Sequence, residues 1–160
     1  MDGFPQRKHL RRLGQVFETG RSPLYLVTVC VRGRRQVLNQ PAAFEVIVST
    51  LREALRLYGW MVGRFVVMPD HVHLFATPAA ESAKDLPGFV GAFKRWTSRR
   101  IGELGSERFA WQREFFDHLM RSRESYSEKW EYVRANPVRA GLVEGPDEWP
   151  YQGEIHALSW

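Results

Sequence analysis

The sequence predicts an α+β fold, a two-layer sandwich in which helices pack on an antiparallel sheet. Runs of β-branched and aromatic residues, which are typical of strands, alternate along the chain with segments of helical periodicity. Two of the strand-like runs, 60–67 and 71–77, are separated by a tight turn, and this predicts an antiparallel hairpin. The chain has 160 residues, of which 44% are hydrophobic, so we expect one domain with its own core.

The first half of the chain predicts three strands and one long helix. Residues 24–31 (LYLVTVCV) predict a buried strand that is followed by a basic turn. Apolar residues at helical spacing predict a helix over 41–57, and Gly59 is typical of the position just after a helix. The hairpin strands 60–67 and 71–77 come next, with a proline and an aspartate in the turn between them.

The second half begins with another long helix. Its periodicity predicts a helix over 85–101 that buries Phe89 and Phe93. Trp96 falls on the same stripe, so we expect it in the core as well. Residues 107–118 predict a short strand or an ordered loop.

A third helix is predicted from its terminal signals. Ser125 and Glu128 form a capping-box pattern at its start. It should end near Asn136, because the residue before Pro137 disfavours the helical conformation. From Ala140 onward we expect an irregular extension packed on the core. The complete order of elements corresponds to a ferredoxin-like or split βαβ sandwich.

The charge is unevenly distributed. We divide the chain into a basic N-terminal arm (1–20), one domain (21–151) and a C-terminal tail (152–160). Residues 1–35 carry a net charge of +6, more than the +5 of the whole chain. Such clusters favour nucleic acid over an anionic membrane as partner, although they also occur on ordinary solvated surfaces. The candidate nucleic-acid contacts are Arg32, Arg34, Arg35, Lys94, Arg95, Arg99 and Arg100.

Several classes of protein are disfavoured. A single cysteine, Cys30, excludes an internal disulfide framework and a zinc site built from several cysteines. No apolar run approaches the roughly 18 residues of a membrane span. The first residues are too basic and interrupted for a signal peptide. We therefore expect a cytoplasmic protein without a membrane partner.

Two histidines form the first candidate site. His71 and His73 are two residues apart on a predicted strand, so both side chains point to one face and could hold one metal ion. A histidine-triad hydrolase would need a third histidine where Phe75 stands. An H-x-H pattern alone is also compatible with two ordinary strand histidines that face solvent.

A tyrosine and an asparagine form the second. Tyr132 and Asn136 are four residues apart and are expected on one face of the third helix. A phenolic oxygen can act as a nucleophile, and an amide oxygen can complete a metal shell. Among the five tyrosines, only Tyr132 is followed four residues later by a potential metal ligand. The alternative is a tyrosine at the edge of the core with an asparagine at the helix end.

Together these motifs resemble a known family. Residues 68–74 (MPDHVHL) are similar to the HUH motif of single-tyrosine transposases. Residues 132–143 (YVRANPVRAGLV), followed by Trp149, resemble the tyrosine-bearing segment of REP-associated tyrosine transposases. The likeness extends from about Leu24 to Tyr151, and the two motifs in this order are more specific than either alone.

The resemblance implies both a site and a reaction. It implies a ferredoxin-like fold and a divalent cation, Mg²⁺ or Mn²⁺, held by His71, His73 and Asn136. It implies that Tyr132 attacks single-stranded DNA and leaves a 5′-phosphotyrosine linkage and a free 3′-hydroxyl. The implied substrates are palindromic hairpins with an adjacent guide sequence.

Two other functions remain open from the residues alone. One is a non-catalytic module that binds single-stranded or hairpin nucleic acid, and the other is a metal-dependent phosphodiesterase that uses water. Neither would form a covalent protein–DNA adduct. We expect no small-molecule cofactor, and we expect a monomer in preference to a dimer.

Overall fold

The protein folds around one five-stranded antiparallel sheet. The computed structural model describes residues 22–105, 108–121 and 125–159, so the predicted arm 1–20 lies outside the described residues. The strand order is β4-β1-β3-β2-β5, and every neighbouring pair is antiparallel. The strands are β1 (Tyr25–Cys30), β2 (Trp60–Val67), β3 (His71–Pro78), β4 (Phe116–Leu119) and β5 (Gln152–Glu154). The predicted α+β sandwich and its central hairpin are confirmed.

Five α-helices accompany the sheet within the described residues. They are α1 (Pro41–Arg52), α2 (Ala54–Tyr58), α3 (Leu86–Gly102), α4 (Tyr126–Arg134) and α5 (Asn136–Arg139). The predicted cap of α4 is confirmed, since Ser125 accepts a hydrogen bond from the Glu128 backbone N–H at 3.3 Å. Gly59 ends α2 with φ of +76°, the left-handed conformation that favours glycine there. None of the helices in the described ranges is long and apolar enough to cross a membrane.

The two faces of the sheet carry different layers. Val27 and Leu74 point to the face covered by α1 and α3, within the larger core cluster. Phe75 points the other way and packs with Tyr126 and Val133 of α4 in a second cluster. Side chains alternate along a strand, so the residues of β3 two and four positions before Phe75 also face the α4 layer. This places both predicted histidines on that face.

A bulge in β2 fixes α4 on the sheet. The β2–β3 register shifts between Val62 and Phe65. The freed backbone N–H of Arg64 donates to the Tyr126 hydroxyl at 2.9 Å. Gly63 makes this approach possible, because a Cβ there would lie 2.5 Å from that hydroxyl oxygen. The absence of a side chain at Gly63 therefore sets how closely α4 can dock.

The prediction that Trp96 is buried is wrong. Its side chain is 48% exposed, whereas the neighbouring Thr97 is fully buried and accepts a hydrogen bond from Trp111 Nε1 at 2.8 Å. At 100° per residue, Trp96 falls between the buried residues Ala92 and Phe89, so helical periodicity alone places it on the buried stripe. The exposure of Trp96 therefore does not follow from the spacing of apolar residues along α3.

Two further expectations need correction. The C-terminal extension is not wholly irregular, because Gln152–Glu154 pairs with β2 as β5. This strand is short and lacks β-branched residues, so sequence periodicity could not reveal it. The predicted third helix ends at Arg134, and Asn136 begins the separate helix α5, with Pro137 at its first turn. Tyr132 and Asn136 therefore do not share one continuous helix.

Candidate active site

The histidine pair lies on β3 with its two rings in contact. The Nε2 atoms of His71 and His73 are 3.1 Å apart. Their ring planes are nearly perpendicular, at 84°. Both rings are on the face of the sheet against which α4 packs. The strand periodicity therefore produces the convergence that the sequence predicted.

A different neighbour orients each ring. Nδ1 of His71 is 2.7 Å from an oxygen of Asp70, and a carboxylate can only accept, so this nitrogen carries the proton. Nδ1 of His73 is 2.7 Å from the hydroxyl of Thr28, its register partner on β1. A hydroxyl can donate or accept, so His73 can take either tautomer. The two Nε2 atoms are thereby directed at each other.

Both imidazoles are kept neutral near pH 7. Burial lowers the pKa of His71, although its bond to Asp70 opposes that effect. Burial also lowers the pKa of His73, to about 3, helped by the nearby charges of His71, Arg139 and Arg34. A neutral imidazole has a lone pair that a metal ion can use. The site is therefore built to present ligand nitrogens.

The pair fits a divalent cation. When two ligand atoms each lie about 2.1 Å from a cation and the angle between the two bonds is about 90°, the ligand atoms are about 3.0 Å apart. The observed separation of the Nε2 atoms is 3.1 Å. Within the described parts of the chain, no group of three or more His, Cys, Asp or Glu side chains could hold a metal. The described residues therefore offer the histidine pair alone as a cluster of such ligands, and the predicted amide of Asn136 is a ligand of a different residue type.

The basic turn after β1 supports the pair from one side. Arg34, at φ of +55°, places its Nε 2.8 Å from the second oxygen of Asp70. The same guanidinium donates to the Cys30 sulfur at 3.0 Å. Burial would raise the pKa of Asp70, but bonding to His71 and Arg34 lowers it overall. Arg34, predicted as a nucleic-acid contact, thus holds the carboxylate that orients His71.

The predicted nucleophile is accessible. The side chain of Tyr132 is 64% exposed near the end of α4. The guanidinium of Arg139 lies over its ring, 4.2 Å from the centroid. Nη2 of the same guanidinium donates a hydrogen bond to Oδ1 of Asn136. The structure therefore joins Tyr132 and Asn136 through Arg139, a link that the sequence did not predict.

Comparison with known proteins decides the family. The family profile described as "Transposase IS200 like" matches residues 22–136, which is more than half of the chain. The chain belongs to the IS200-like transposase family. The predicted resemblance is thereby confirmed, and the family consists of DNA-processing enzymes.

Named relatives agree with this family. The REP-associated tyrosine transposase of Escherichia coli is 24% identical over 127 residues, covering 79% of this chain and 73% of that protein. The ISDra2 transposase TnpA of Deinococcus radiodurans is 36% identical over 77 residues, 48% of this chain and 53% of that protein. A solved structure of a REP-associated tyrosine transposase bound to a REP hairpin superposes with a TM-score of 0.69 at 20% identity, covering 99% and 96% of the two chains. That match shows the same fold.

The predicted nucleic-acid contacts lie in two places. The turn carrying Arg32 and Arg35 directly follows the end of β1, where Cys30 pairs with His71. Arg32 is exposed. Arg35 donates to the backbone carbonyl of Arg108 at 3.1 Å. This turn is at the histidine end of the sheet.

The basic cluster of α3 is on the opposite layer. Lys94 donates to three successive backbone carbonyls, those of Gln112, Arg113 and Glu114, at 2.8–3.2 Å, so it fixes the segment before β4. The other three residues, Arg95, Arg99 and Arg100, are exposed. Arg99 forms an ion pair with Glu103 at 3.6 Å. Arg100 donates a hydrogen bond to Ser49 Oγ at 2.9 Å.

Sequence reasoning missed three residues that contact the site. Asp70 could have been found, because it directly precedes the histidine pair in the matched motif. Thr28 could not, because its link to His73 depends on the β1–β3 register. Arg139 lies inside the tyrosine-bearing segment, but no local pattern marks its contacts with both Tyr132 and Asn136.

Proposed function

We propose that this transposase nicks and rejoins single-stranded hairpin DNA through a 5′-phosphotyrosine linkage at Tyr132. A divalent cation, Mg²⁺ or Mn²⁺, is held by His71 and His73, with Asn136 as third protein ligand. The observation that supports this most strongly is the pair of mutually facing Nε2 atoms, 3.1 Å apart, on the sheet face that carries the tyrosine helix. We further propose that the catalytic unit lies within residues 21–151 and that the protein acts as a monomer.

The reaction divides among these residues. The Tyr132 hydroxyl gives up its proton and its oxygen forms a new bond to phosphorus. The bond from phosphorus to the 3′-oxygen breaks, and that oxygen takes up a proton. A bound cation polarises the phosphate and neutralises its charge. His71 and His73 contribute neutral nitrogens, and the exposure of Tyr132 gives DNA access to its oxygen. The linkage retains one phosphate ester in place of another, so rejoining needs no ATP.

The proposed substrate class follows from the relatives and from charge. One relative of the same fold has been solved with a REP hairpin, and we extend hairpin binding to this chain. The basic turn contacts the DNA backbone at the histidine end of the sheet, through Arg32, Arg34 and Arg35. The α3 cluster of Lys94, Arg95, Arg99 and Arg100 is the second. Phosphate contacts of this kind position DNA without reading its sequence.

A labelled-adduct experiment tests the reaction. The protein is incubated with Mn²⁺ and a hairpin oligonucleotide that carries different labels at its 5′ and 3′ ends, and is then run on a denaturing gel. We expect the 3′ label to migrate with the protein and the 5′ label to leave on a free fragment. Cleavage without an adduct would instead indicate a phosphodiesterase that uses water. Binding without cleavage would indicate a non-catalytic module.

Matched tyrosine variants identify the nucleophile. Tyr132→Phe should abolish the adduct while leaving hairpin affinity and Mn²⁺ binding nearly unchanged, because only the phenolic oxygen is lost. Tyr58→Phe, in α2 among the helices on the opposite face, should form the adduct at the wild-type rate. An adduct that persists in Tyr132→Phe would refute the assignment.

A further inference from the structure

One arginine contacts both the predicted nucleophile and the predicted third metal ligand. Arg139, at the end of α5, stacks over the ring of Tyr132 and donates to Oδ1 of Asn136. The residue is exposed, so its guanidinium can also reach a ligand from solvent. No role for this residue follows from the proposed nicking reaction by itself.

The position of Arg139 opposes a metal ion in the DNA-free protein. The oxygen that Asn136 would offer to the cation already accepts a hydrogen bond from a positive group. A positive guanidinium bonded to that oxygen repels a metal cation that approaches the same atom.

A phosphate would remove this opposition. A hydrogen bond between a guanidinium and a phosphate is charge-assisted on both sides and can be bidentate, so it is stronger than one to a neutral amide. The bond that must be given up is an exposed one between half-buried Asn136 and exposed Arg139, only three positions apart, and exposed contacts of this kind contribute little to stability. Exchange of the amide for a phosphate is therefore favourable.

We propose that Arg139 is a phosphate-binding and positioning residue that couples DNA binding to completion of the metal site. Without DNA, its guanidinium occupies the Asn136 oxygen. When a DNA phosphate binds the guanidinium, that oxygen is released to the cation. The inference rests on the proposed function, because it takes Asn136 as a metal ligand and DNA as the substrate.

Linkage gives the proposal a thermodynamic signature. If DNA raises the affinity of the protein for the cation, the cation must raise its affinity for DNA by the same factor. Asn136 should then contribute to cation binding only when DNA is bound. A residue with a purely structural role would not produce this dependence.

Mn²⁺ binding is the direct test. The free Mn²⁺ is measured by electron paramagnetic resonance in Tyr132→Phe protein, which binds the hairpin without cutting it, with and without saturating hairpin. The same titration of a His71→Ala, His73→Ala protein subtracts the Mn²⁺ held by the DNA. We expect the hairpin to increase Mn²⁺ affinity about tenfold or more, which is within the range of ordinary coupling. Asn136→Ala should lose most of this increase, while its affinity without DNA stays within twofold.

Variants of Arg139 test whether this residue is responsible for the coupling between hairpin and Mn²⁺ binding. Arg139→Leu should bind Mn²⁺ several-fold more tightly than its parent without DNA, and the hairpin should then raise the affinity less than twofold. Arg52→Leu, which removes an exposed positive charge from α1 on the opposite layer, should behave like its parent. Circular dichroism checks that each variant is folded.

The possible failures are distinguishable. An equal hairpin effect with and without Arg139, or an unchanged Mn²⁺ affinity of Arg139→Leu without DNA, overturns the coupling and leaves the nicking reaction standing. If no Mn²⁺ binding depends on His71 and His73, the proposed metal site and the coupling both fail. A missing adduct with intact coupling would overturn only the proposed strand chemistry.

Discussion

At the scale of single residues, the charge state of two imidazoles determines what the site can bind. His71 and His73 face each other at 3.1 Å, which two protonated rings would not tolerate. Burial keeps them neutral, and Asp70 fixes the proton of His71 on Nδ1. Without a cation, the second ring can donate from Nε2 to the first. To hold a cation, His73 would carry its proton on Nδ1, so that each ring would offer the lone pair of its Nε2 atom.

The first residue-scale prediction concerns the ligands themselves. His71→Ala and His73→Ala should each abolish cleavage and strongly weaken Mn²⁺ binding, because each removes one of two converging nitrogens. Asn136→Ala should have a milder effect on cleavage, and should weaken Mn²⁺ binding only when the hairpin is present, since an amide oxygen is a weaker ligand than an imidazole. Calorimetry with Mn²⁺ and the adduct assay measure both effects. Cleavage by the double histidine variant would refute the metal site.

The second residue-scale prediction concerns Thr28, the hydrogen-bond partner of His73. When the cation is bound, the Thr28 hydroxyl must accept a hydrogen bond from Nδ1–H of His73. Thr28→Val should therefore weaken Mn²⁺ binding about 10- to 100-fold, as mutation of other groups that orient metal ligands does. Thr77→Val is the matched control on β3. Its buried hydroxyl has no hydrogen-bond partner among the described residues, so the change should not affect Mn²⁺ binding. Equal affinities for the two variants would show that Thr28 is dispensable.

At the scale of elements, the docking of α4 on β2 determines where the nucleophile stands. Tyr126, at the start of α4, accepts from the backbone of Arg64 in the β2 bulge. Trp149 also anchors this layer, since its indole donates to the Val67 carbonyl at 3.0 Å. Tyr132 therefore occupies a position that is set six residues earlier, at the other end of the helix.

This arrangement predicts a sensitive glycine. A Cβ at Gly63 would lie 2.5 Å from the Tyr126 hydroxyl oxygen and 2.7 Å from Leu158 Cδ1. Gly63→Ala should therefore destabilise the fold by about 1–3 kcal/mol, as overpacking usually does, and reduce adduct formation by displacing α4. Gly102→Ala is the control, because a Cβ there meets nothing within 4 Å. Chemical denaturation should show a loss for the first variant and none for the second.

At the scale of the whole molecule, basic residues on two layers determine how DNA can approach. The turn carrying Arg32 is at the histidine end of the sheet, while Arg95 is on the helix that covers the opposite face. Lys94 is bonded to backbone carbonyls, so replacing it would disturb packing as well as charge. Single arginine variants therefore separate the two surfaces more clearly.

The salt dependence of hairpin binding tests these surfaces. Each phosphate contact adds roughly 0.7 to 0.9 to the slope of log affinity against log salt concentration. Arg32→Ala and Arg95→Ala should each flatten the slope by about that amount and weaken all hairpins alike, because phosphate contacts carry little sequence information. Both side chains are exposed, so stability should change by less than about 0.5 kcal/mol. An unchanged slope for Arg95→Ala would remove α3 from the interface.

The sequence by itself determined the features that depend on neighbours along the chain. Strand alternation brought His71 and His73 to one face, and the Ser125 cap located the start of α4, because both signals arise within a few residues. The two motifs, at their spacing, were also sufficient to indicate the family.

Only the tertiary structure decided the features that depend on distant parts of the chain. The β1–β3 register pairs Thr28 with His73, and the pairing of β5 with β2 rests on backbone hydrogen bonds that any sequence can make. The exposure of Trp96 depends on what packs against α3, because helical spacing alone places this residue between the buried Ala92 and Phe89. The contacts of Arg139 depend on the break between α4 and α5, which brings its guanidinium over Tyr132. Local patterns specify which groups are available, and packing specifies which of them meet.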